Sequence, residues 1–307
     1  MAGRKRPKGY APWSPQMASA RLVDDVREVL EENEDYLPLT IRQVFYRLVA
    51  AYGYPKNEAA YKRLVDKLGR ARRAGLIPFG HLRDDGVSVM EDRHYGGMDD
   101  FYGHVKRLGA AYERDKLARQ VCDVRVLCES AGMVPQLHRS ASPYSVPVYS
   151  GSGFDSLTAK HDLALAAHDG AVYRGKPTVI LHLGDYDPSG VSLYESIKED
   201  VHAFLSEDVL SYEPEKVAVF HRVALVPSQI DDLGLTTYPP KASDSKAGPW
   251  IRAGLRTCQL EALPPDLLAT VLQSYIEHFL DSDLLAEDRA EEQHERRQIA
   301  LALPRGN

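Results

Sequence analysis

One stretch, residues 178–190 with the sequence T-V-I-L-H-L-G-D-Y-D-P-S-G, constrains the fold of this chain more than any other. Its first half is rich in β-branched and aliphatic residues and stops at Gly184, a pattern that predicts a buried β-strand. Pro188 and Gly190 break the strand, and the residues after them predict a helix over 191–204. A strand, a short loop and a helix in this order indicate an open α/β sheet.

Two carboxylates, Asp185 and Asp187, follow this strand at its C-terminal end. Residues two apart in an extended segment point the same way, so both side chains are expected to project into the same space. Ligand sites of open α/β sheets lie beyond the carboxyl ends of the strands, and two hard oxygen donors there favour Mg²⁺. The same D-x-D-P-x-G pattern also fits a turn in which an aspartate caps the next helix, so this motif alone leaves both interpretations open.

A second predicted strand also ends in an acid. The run V-R-V-L-C over residues 124–128 is short and apolar, and Glu129 follows it. Further strands are predicted at 146–149 and 216–225, with helical segments between the strands. Strands that alternate with helices predict a mixed α/β fold with a mainly parallel sheet.

A glutamate at the end of one strand and an Asp-x-Asp at the end of a later one resemble the Toprim domain of topoisomerases, primases and certain nucleases. The resemblance covers most of residues 120–262 and depends on the two motifs together. In that family the acidic triad holds Mg²⁺ beside a scissile phosphate. The resemblance therefore implies a metal site at Glu129, Asp185 and Asp187, and oxygen ligands alone do not separate Mg²⁺ from Mn²⁺.

Composition narrows the class of protein. At 307 residues the chain is long enough for two domains, and no stretch approaches about 18 uncharged apolar residues, so no membrane span is expected. The basic N-terminus has no apolar run after it and does not fit a secretory signal peptide. Cys122, Cys128 and Cys258 lack metal-finger spacing and are interpreted as reduced thiols, which favours a cytoplasmic, nucleoid-associated protein. The net charge of −6 argues against nucleic acid by itself, but the acids lie mainly in the second half, so it does not decide the partner.

The first third of the chain predicts helices. Residues 19–33 carry apolar side chains at helical spacing, with acids on the other face. Thr40 and Gln43 fit a capping box, in which each side chain accepts a hydrogen bond from the backbone of the other residue. A helix over 41–51 is expected to follow this box.

A basic helix is predicted over 57–74, followed by a short hairpin or wing over 76–89 with turn residues at 84–86. Together with the preceding helices this describes a winged helix-turn-helix, whose basic helix enters the DNA major groove. The residues expected to contact double-stranded DNA are Lys62, Arg63, Lys67, Arg70, Arg72 and Arg73. A charged run is often only a solvated face, but Glu58 and Asp66 are the only acids here, so charge pairing does not explain this one.

Tyr46 is the candidate nucleophile of the helix over 41–51. Arg42 precedes it by one turn, so the two side chains share a face, where a guanidinium can hold a phosphate while the phenol oxygen attacks it. A tyrosine in V-F-Y-R-L is also an ordinary core residue, and this alternative stays open.

The segment R-Q-V-F-Y over residues 42–46 resembles the Arg-x-x-(Tyr/Phe)-Tyr motif in the winged-helix domain of topoisomerase VI A subunits. Related eukaryotic proteins make meiotic double-strand breaks. In that family the last tyrosine is the nucleophile and a Toprim domain follows it in the chain, and both order and spacing agree here. Phe45 stands where the family often has a second tyrosine, which leaves Tyr46 as the candidate. The resemblance spans residues 20–262 and is greatest to the stand-alone Mini-A group of phages and other bacterial mobile elements.

The resemblance implies a DNA-cleaving tyrosine transesterase like a type IIB topoisomerase A subunit. It would make Mg²⁺-dependent double-strand breaks with a short overhang, through a link between the phenol oxygen and the DNA 5′ end. In the family the site is built across a homodimer, with the tyrosine of one subunit near the metal of the other. Arg42 would add positive charge, and Glu129 would double as general acid if its pKa were raised. The sequence has no G-x-x-x-x-G-K-[ST] loop, so strand passage would require a separate ATPase partner subunit.

These patterns divide the chain into five segments: a basic arm at 1–15, a winged-helix DNA-binding domain at 16–95, a linker helix at 96–119, a Toprim domain at 120–262 and a C-terminal helical segment at 263–307.

Two features outside the motifs bear on the site. Residues 227–250 are rich in Pro, Ser, Asp and Gly and predict a long loop, where Lys241 and Lys246 are placed to meet DNA. Glu261 is interpreted as an ordinary surface acid rather than an extra carboxylate of the metal site.

Three hypotheses follow for the function. The first is the tyrosine transesterase, which the pairing of Arg42 with Tyr46 favours. The second is a metal-dependent nuclease in which water attacks and Tyr46 is a core residue. The third is a DNA-binding protein without catalysis, in which the acids are structural.

Overall fold

The structure is a computed structural model, which describes residues 11–83, 93–150, 157–208 and 213–303. Most of the basic arm, the wing turn expected at 84–86 and the last four residues of the chain lie outside the described residues.

Helices and a short parallel sheet form the N-terminal part. The helices are α1 (Met17–Glu32), α2 (Ile41–Ala51), α3 (Glu58–Arg73) and α4 (Met98–Ala110), and the strands are β1 (Leu39–Thr40) and β2 (Leu82–Arg83). β2 pairs in parallel with β1, so the part of the expected wing that the structure describes is not an antiparallel hairpin. α4 ends at Ala110, earlier than the linker helix predicted to residue 119.

Local signals set the bounds of α2 and α3. The capping box is confirmed, since Thr40 accepts a hydrogen bond from the Gln43 amide at 3.1 Å and donates its own amide to the Gln43 side chain at 2.8 Å. Asn57 caps α3 by accepting from the Ala60 amide at 2.8 Å. Gly75 follows α3 with φ of 73°, a conformation that glycine adopts without strain.

A four-stranded parallel sheet forms the second part of the molecule, which confirms the mixed α/β prediction. Its strands are β3 (Asp123–Cys128), β4 (Val148–Ser150), β5 (Thr178–Leu183) and β6 (Ala218–Ala224), in the order β4-β3-β5-β6. The strand predicted over 178–183 is confirmed at both ends, and each of its residues is buried. β6 is shorter than predicted because residues 214–217 form one helical turn before it.

Helices cover both faces of this sheet. The remaining helices are α5 (Val134–Ala141), α6 (Leu157–Arg174), α7 (Pro188–Asp208), α8 (Pro214–Val217), α9 (Pro227–Asp232), α10 (Ala247–Arg252), α11 (Pro265–Phe279) and α12 (Ser282–Ala302). Leu127 and Ile180 point to α6 and α7, whereas their neighbours Val126 and Leu181 point to the face where α5 and α11 pack. The loop predicted over 227–250 contains α9 and the start of α10, and Ile230, Leu235 and Tyr238 pack this segment against the core.

The N-terminal helices and the sheet share one core. A single hydrophobic cluster includes residues of α1, α2 and α3 together with one face of the sheet and α11. Ion pairs attach the segment after α4 to α12, with Lys116 Nζ 2.5 Å from Glu292 and Arg114 3.2 Å from Asp288. Within the described ranges, no helix is long and apolar enough to cross a membrane.

Candidate active site

Two strand ends bring the predicted acids together. β3 and β5 are hydrogen-bonded neighbours, and Glu129 and Asp185 follow them at the same edge of the sheet. The connection after β3 leads to β4 on one side, and the connection after β5 leads to β6 on the other. The strand order therefore reverses between β3 and β5, and such a reversal is where open α/β sheets bind ligands.

Main-chain amides hold each of the three carboxylates. The Asp185 amide donates to Glu129 Oε2 at 3.1 Å, and the Leu260 amide donates to Asp185 Oδ1 at 2.8 Å. Asp187 Oδ1 accepts from the Gly190 amide at 2.7 Å at the start of α7. The helix-cap interpretation of Asp187 is thus confirmed, and its second oxygen is left for another partner.

Two glycines make room for the Glu129 carboxylate. A Cβ at Gly184 would stand 2.6 Å from Glu129 Oε2, and a Cβ at Gly190 would stand 2.9 Å from the same atom and 2.6 Å from the Asp185 carbonyl oxygen. Real Cβ atoms do not approach neighbours so closely. Position 190 therefore requires glycine, because its neighbour is a backbone oxygen, whereas a side chain at position 184 would force the Glu129 and His182 side chains to move. Gly190 therefore does more than break the strand, as it allows the two acidic loops to touch.

A fourth carboxylate belongs to this cluster. Glu261 was expected to be a surface acid, but its exposed fraction is only 6%, so that interpretation is wrong. Its Oε1 lies 3.2 Å from Ser130 Oγ, in the residue next to Glu129. The segment over 259–262 packs against α2, which buries the side chain although its sequence surroundings are those of an exposed loop.

Burial and mutual repulsion raise the pKa of the acids. Burial first, and then the charge of Glu261, raise the pKa of Asp185 to about 8. Burial also raises the pKa of Glu129, with Asp187 and Glu261 adding to the effect and the Asp185 amide opposing it. Carboxylates that resist ionisation together form a site that a cation would stabilise.

Arg222 supplies positive charge from the neighbouring strand β6. Its guanidinium donates to the carbonyl oxygens of Asp185 at 2.5 Å and Gly184 at 3.3 Å, and its Nε donates to Leu225 at 3.1 Å. It therefore fixes the backbone of the acidic loop, and its charge also lowers the pKa of Glu129.

The donor chemistry fits a hard divalent cation. Three or four carboxylates with hard oxygen donors lie at one sheet edge, as Mg²⁺ or Mn²⁺ requires. In the described part of the chain, no group of three or more His, Cys, Asp or Glu side chains stands ready to hold a metal ion. Rotation of the side chains would therefore have to bring the oxygens together around the ion.

Tyr46 is a buried residue of α2, and its hydroxyl points towards the segment that contains Gln259. The side chain is 3% exposed, and its ring packs edge-on against Phe45. The hydroxyl donates to Gln259 Oε1 at 2.6 Å. Burial first, and then the neighbouring Tyr238 and Glu261, raise the pKa of the phenol, while Arg42 lowers it. In this structure the group is a neutral phenol.

Arg42 faces the acids as well as Tyr46. Burial lowers the pKa of its guanidinium, but the charges of Glu261 and Asp185 and its contact with Tyr61 outweigh burial, so the pKa is raised. Its guanidinium also lies 5.7 Å from the centre of the Tyr61 ring. The predicted pairing with Tyr46 on one helix face is present, since both residues line the same cavity.

This cavity joins the two parts of the molecule. It has a volume of about 350 Å³, and its walls come from α2, the start of α3, the loop after β5 and the segments around 238–244 and 257–259. Its polar lining includes Arg42, Tyr46, Asp187, Lys241 and Gln259. Ligand pockets range over roughly 300–1,000 Å³, so this one admits a nucleotide unit but not a duplex.

A larger cavity, of about 830 Å³, lies at the opposite edge of the sheet. Part of its charged lining is already engaged: Arg174 contacts Asp123, and Lys176 donates to the carbonyl oxygens of Leu117 and Ala118. It lies at the amino ends of the strands, away from every acid that the sequence singles out.

The basic helix is only partly as predicted. Lys62 and Arg63 are exposed, but Lys62 pairs with Glu58 at 2.8 Å and Arg70 with Asp66 at 3.2 Å. The expectation that pairing plays no part was therefore wrong, because both acids sit one turn before a base.

The remaining basic residues of α3 turn towards the protein. Arg72 donates to the carbonyl oxygens of Phe79 and Leu82 and lies 4.7 Å from the centre of the Phe79 ring. Lys67 stands over the Trp13 ring at 5.8 Å, and Arg73 is partly buried. Among the six predicted contacts, Lys62 and Arg63 present the most open charge to solvent.

Three residues of the site escaped prediction from the sequence. Gln259 and Tyr238 adjoin the phenol, and Arg222 braces the acidic loop. None has a local motif, and each comes close only through folding. The alternation in β6 was a usable signal for Arg222, since a charge inside a buried strand requires a partner.

Comparisons with protein-family models, with curated proteins and with solved structures found no match for this chain.

Proposed function

We propose that the chain is a divalent-metal-dependent DNA-cleaving tyrosine transesterase, like a type IIB topoisomerase A subunit of the Mini-A kind. In this proposal α1, α2 and α3 form a winged-helix domain, and the parallel sheet with its helices is a Toprim domain. The protein would act on double-stranded DNA as a homodimer, with an ATPase partner if strands are passed.

One observation carries the proposal. Tyr46 and Arg42 of α2 line one cavity with Asp187, which lies far from them in the sequence. A nucleophile, a cation and a carboxylate of a metal-type cluster are the groups that phosphoryl transfer to a phenol requires. Core packing alone does not explain why they converge, because placing two charged side chains beside buried aromatic rings costs free energy.

The reaction can be written with these residues. The phenol oxygen of Tyr46 attacks phosphorus, the bond from phosphorus to the 3′ oxygen breaks, and the phenol proton passes to solvent. The leaving 3′ oxygen takes a proton from solvent, or from Glu129 where that carboxyl is not bound to the ion, since burial raises its pKa in the metal-free site. Arg42 holds a non-bridging phosphate oxygen.

Glu129, Asp185 and Asp187 would hold the Mg²⁺, with Glu261 beside them. Bound there, the ion would polarise the phosphoryl group and offset the charge of the transition state. Religation reverses the same steps, with the 3′ hydroxyl as nucleophile and Tyr46 as leaving group.

The neutral phenol favours a second candidate. Tyr46 is buried and donates to Gln259, and these contacts fit a core residue as well as they fit a nucleophile. A metal-dependent nuclease would use the same acids to activate water, and its product would carry no protein.

Cleavage of labelled supercoiled plasmid separates these candidates. Wild type, Tyr46→Phe and Asp185→Asn are incubated with DNA and Mg²⁺ and then denatured, with and without protease. Asn at 185 keeps the acceptor for the Leu260 amide, and Phe at 46 keeps the ring, so both variants should fold. We expect DNA joined to wild-type protein only. Free ends that persist in Tyr46→Phe but not in Asp185→Asn would establish the nuclease, and binding without cleavage by wild type would reject both.

A further inference from the structure

We infer that residues 239–256 form a contact surface for the DNA backbone beside the acids of the candidate site. These residues, which we call the cationic segment, run from the wall of the Tyr46 cavity through α10 to the residue before Thr257. The inference rests on the proposed function and deepens it, because it states which residues hold the DNA next to the acids. It does not depend on which protomer of a dimer supplies the tyrosine.

The charge of the cationic segment is opposite to that of the whole chain. The chain has a net charge of −6, whereas this segment contains four bases and one acid. The acid, Asp244, is already engaged, since one oxygen accepts from Ser189 Oγ at 3.0 Å and the other from the Lys246 amide at 2.9 Å. All four bases are exposed to solvent: Lys241, Lys246, Arg252 and Arg256. The segment therefore presents positive charge, which attracts phosphate groups.

Two of these bases are free to bind an external phosphate. Among the residues that the structure describes, Lys241 and Arg252 have no hydrogen-bond or ion-pair partner. Glu58 lies near Lys241 but is paired with Lys62 at 2.8 Å. Lys241 and Arg252 can therefore bind a phosphate without first giving up a contact within the protein.

The other two bases fasten the segment in place. Lys246 Nζ donates to Ser192 Oγ near the start of α7 at 2.7 Å, and Arg256 Nε donates to Thr237 Oγ1 at 2.7 Å. Both side chains stay exposed, so their charges add to the surface while their contacts hold its shape.

Contacts with the acidic loop and with α7 place the cationic segment beside the acids. Trp250 of α10 packs against Tyr186, the residue between the two aspartates of the acidic loop, with ring centroids 4.8 Å apart. Ser189, which donates to the segment, is followed by Gly190, whose amide holds Asp187. A DNA strand on this surface therefore runs past the carboxylates.

The basic helix α3 leaves a need for such a surface. Lys62 and Arg70 pair with acids, and Arg72 donates to carbonyl oxygens of the protein. Affinity for duplex DNA grows with the number of phosphates that a protein neutralises, so a helix with few open charges binds weakly by itself. The cationic segment adds two open charges, Lys241 and Arg252, beside the acids.

Salt-dependent binding of a short labelled DNA duplex tests the inference. Wild type, the test variant Lys241→Gln/Arg252→Gln and the control Lys106→Gln/Arg297→Gln are compared by fluorescence anisotropy without divalent ions, so that the DNA stays intact. The control removes one lysine and one arginine from α4 and α12, where both side chains are likewise exposed. Thermal unfolding checks that all three proteins fold alike.

The slope of log affinity against log salt should fall by about two in the test variant, because two phosphate contacts are lost. At about 0.1 M salt its affinity should fall by roughly tenfold or more, and the control should match wild type. An unchanged slope in the test variant overturns the inference. An equal fall in the control overturns it too, since any surface charge would then have the same effect.

A cross-link locates the contact. Cys122, Cys128 and Cys258 are buried, so a photoactivatable label is directed to the exposed thiol introduced by Arg252→Cys or by Arg297→Cys. We expect cross-linked DNA from the label at 252 and none from the label at 297, and equal yields would contradict the inference. Wild type that binds no DNA would reject the proposed function as well, whereas wild type that binds DNA and forms no covalent adduct with Mg²⁺ would reject the proposed function alone.

Discussion

The two halves of the candidate site hold their reactive groups by different means. The acids stand on loops, and main-chain amides and two glycines fix them. Tyr46 stands on a helix, and one side chain, Gln259, fixes its hydroxyl. The path of the backbone therefore fixes the positions of the carboxylates, whereas a single side-chain hydrogen bond fixes the position of the Tyr46 hydroxyl.

The halves also differ in charge. The acidic half gathers carboxylates whose burial raises their pKa, so it is unfavourable without a cation. The phenol half is aromatic, its phenol is neutral, and its cation, Arg42, is kept charged by the neighbouring acids. Substitutions should therefore act on the first half through backbone and charge, and on the second through packing and one hydrogen bond.

Gly190→Ala should have the largest effect. Alanine normally stabilises a helix position, but here its Cβ would strike the Asp185 carbonyl and the Glu129 carboxylate. We expect a loss of about 3 kcal/mol in the free energy of unfolding, as in overpacked cores, and loss of the stabilisation by Mg²⁺. Urea unfolding with and without Mg²⁺ measures both.

The matched control for that substitution is Gly69→Ala in α3. No atom lies within 4 Å of the added Cβ, so we expect a gain of about 0.5–1 kcal/mol. Equal gains in the two variants would show that the acidic loops have room to move, and would contradict the view that the backbone fixes the carboxylates.

Asp185→Asn should stabilise the protein in the absence of metal. The pKa of Asp185 rises from 3.8 to about 8, so the carboxyl weakens the fold as pH climbs above 3.8, and the effect is complete above about 8. At pH 7 we expect a gain of at most about 4 kcal/mol, since this pH lies 3.2 units above the ordinary pKa of 3.8 and one unit corresponds to about 1.4 kcal/mol. Below pH 4 the gain should vanish.

Thermal unfolding across pH 4–9, with and without Mg²⁺, checks this prediction. Wild type should be stabilised by Mg²⁺ and the variant should not. A variant less stable than metal-free wild type at pH 8 would mean that the carboxylate charge is already compensated within the chain.

The two halves of the site also differ in how much of each could be predicted from the sequence. Local patterns predicted the buried strand β5, the capping box of α2 and the three acids at the strand ends, because neighbours in sequence set them. The burial of Glu261 and the partner of Tyr46 were not predictable, because segments far apart in sequence pack there. The small number of acids in α3 also led to the wrong prediction that charge pairing is absent there, because Glu58 and Asp66 each pair with a base one turn away.

Gln259→Leu should have a moderate effect confined to the phenol half. It removes the acceptor of the buried Tyr46 hydroxyl, which costs about 1–2 kcal/mol of stability. In the double variant Tyr46→Phe/Gln259→Leu the effects should not add, with a coupling of about 1 kcal/mol. Additive losses would show that the hydrogen bond contributes nothing, and an altered response to Mg²⁺ would show that the halves are not separate.

Lys62→Ala should have the smallest effect, on DNA affinity alone. Its ion pair with Glu58 is exposed and therefore weak, so loss of the Lys62 charge should reduce the slope of log affinity against log salt by about one at most. Arg72→Ala is the contrast, because that guanidinium is bound to carbonyl oxygens of the protein. It should leave the slope unchanged and lower stability, and the reverse result would place Arg72 on the DNA.

The strand order has a consequence for how such a chain can vary in length. β3 and β5 pair directly, while β4 lies outside β3 at the edge of the sheet. The chain between Glu129 and Thr178 therefore runs out to the edge strand and returns to the strand beside its start. Insertions or deletions in the connections between the elements of that route leave the acids in place, so related chains are free to differ in length there. The few residues from Leu183 to Gly190 have no such freedom.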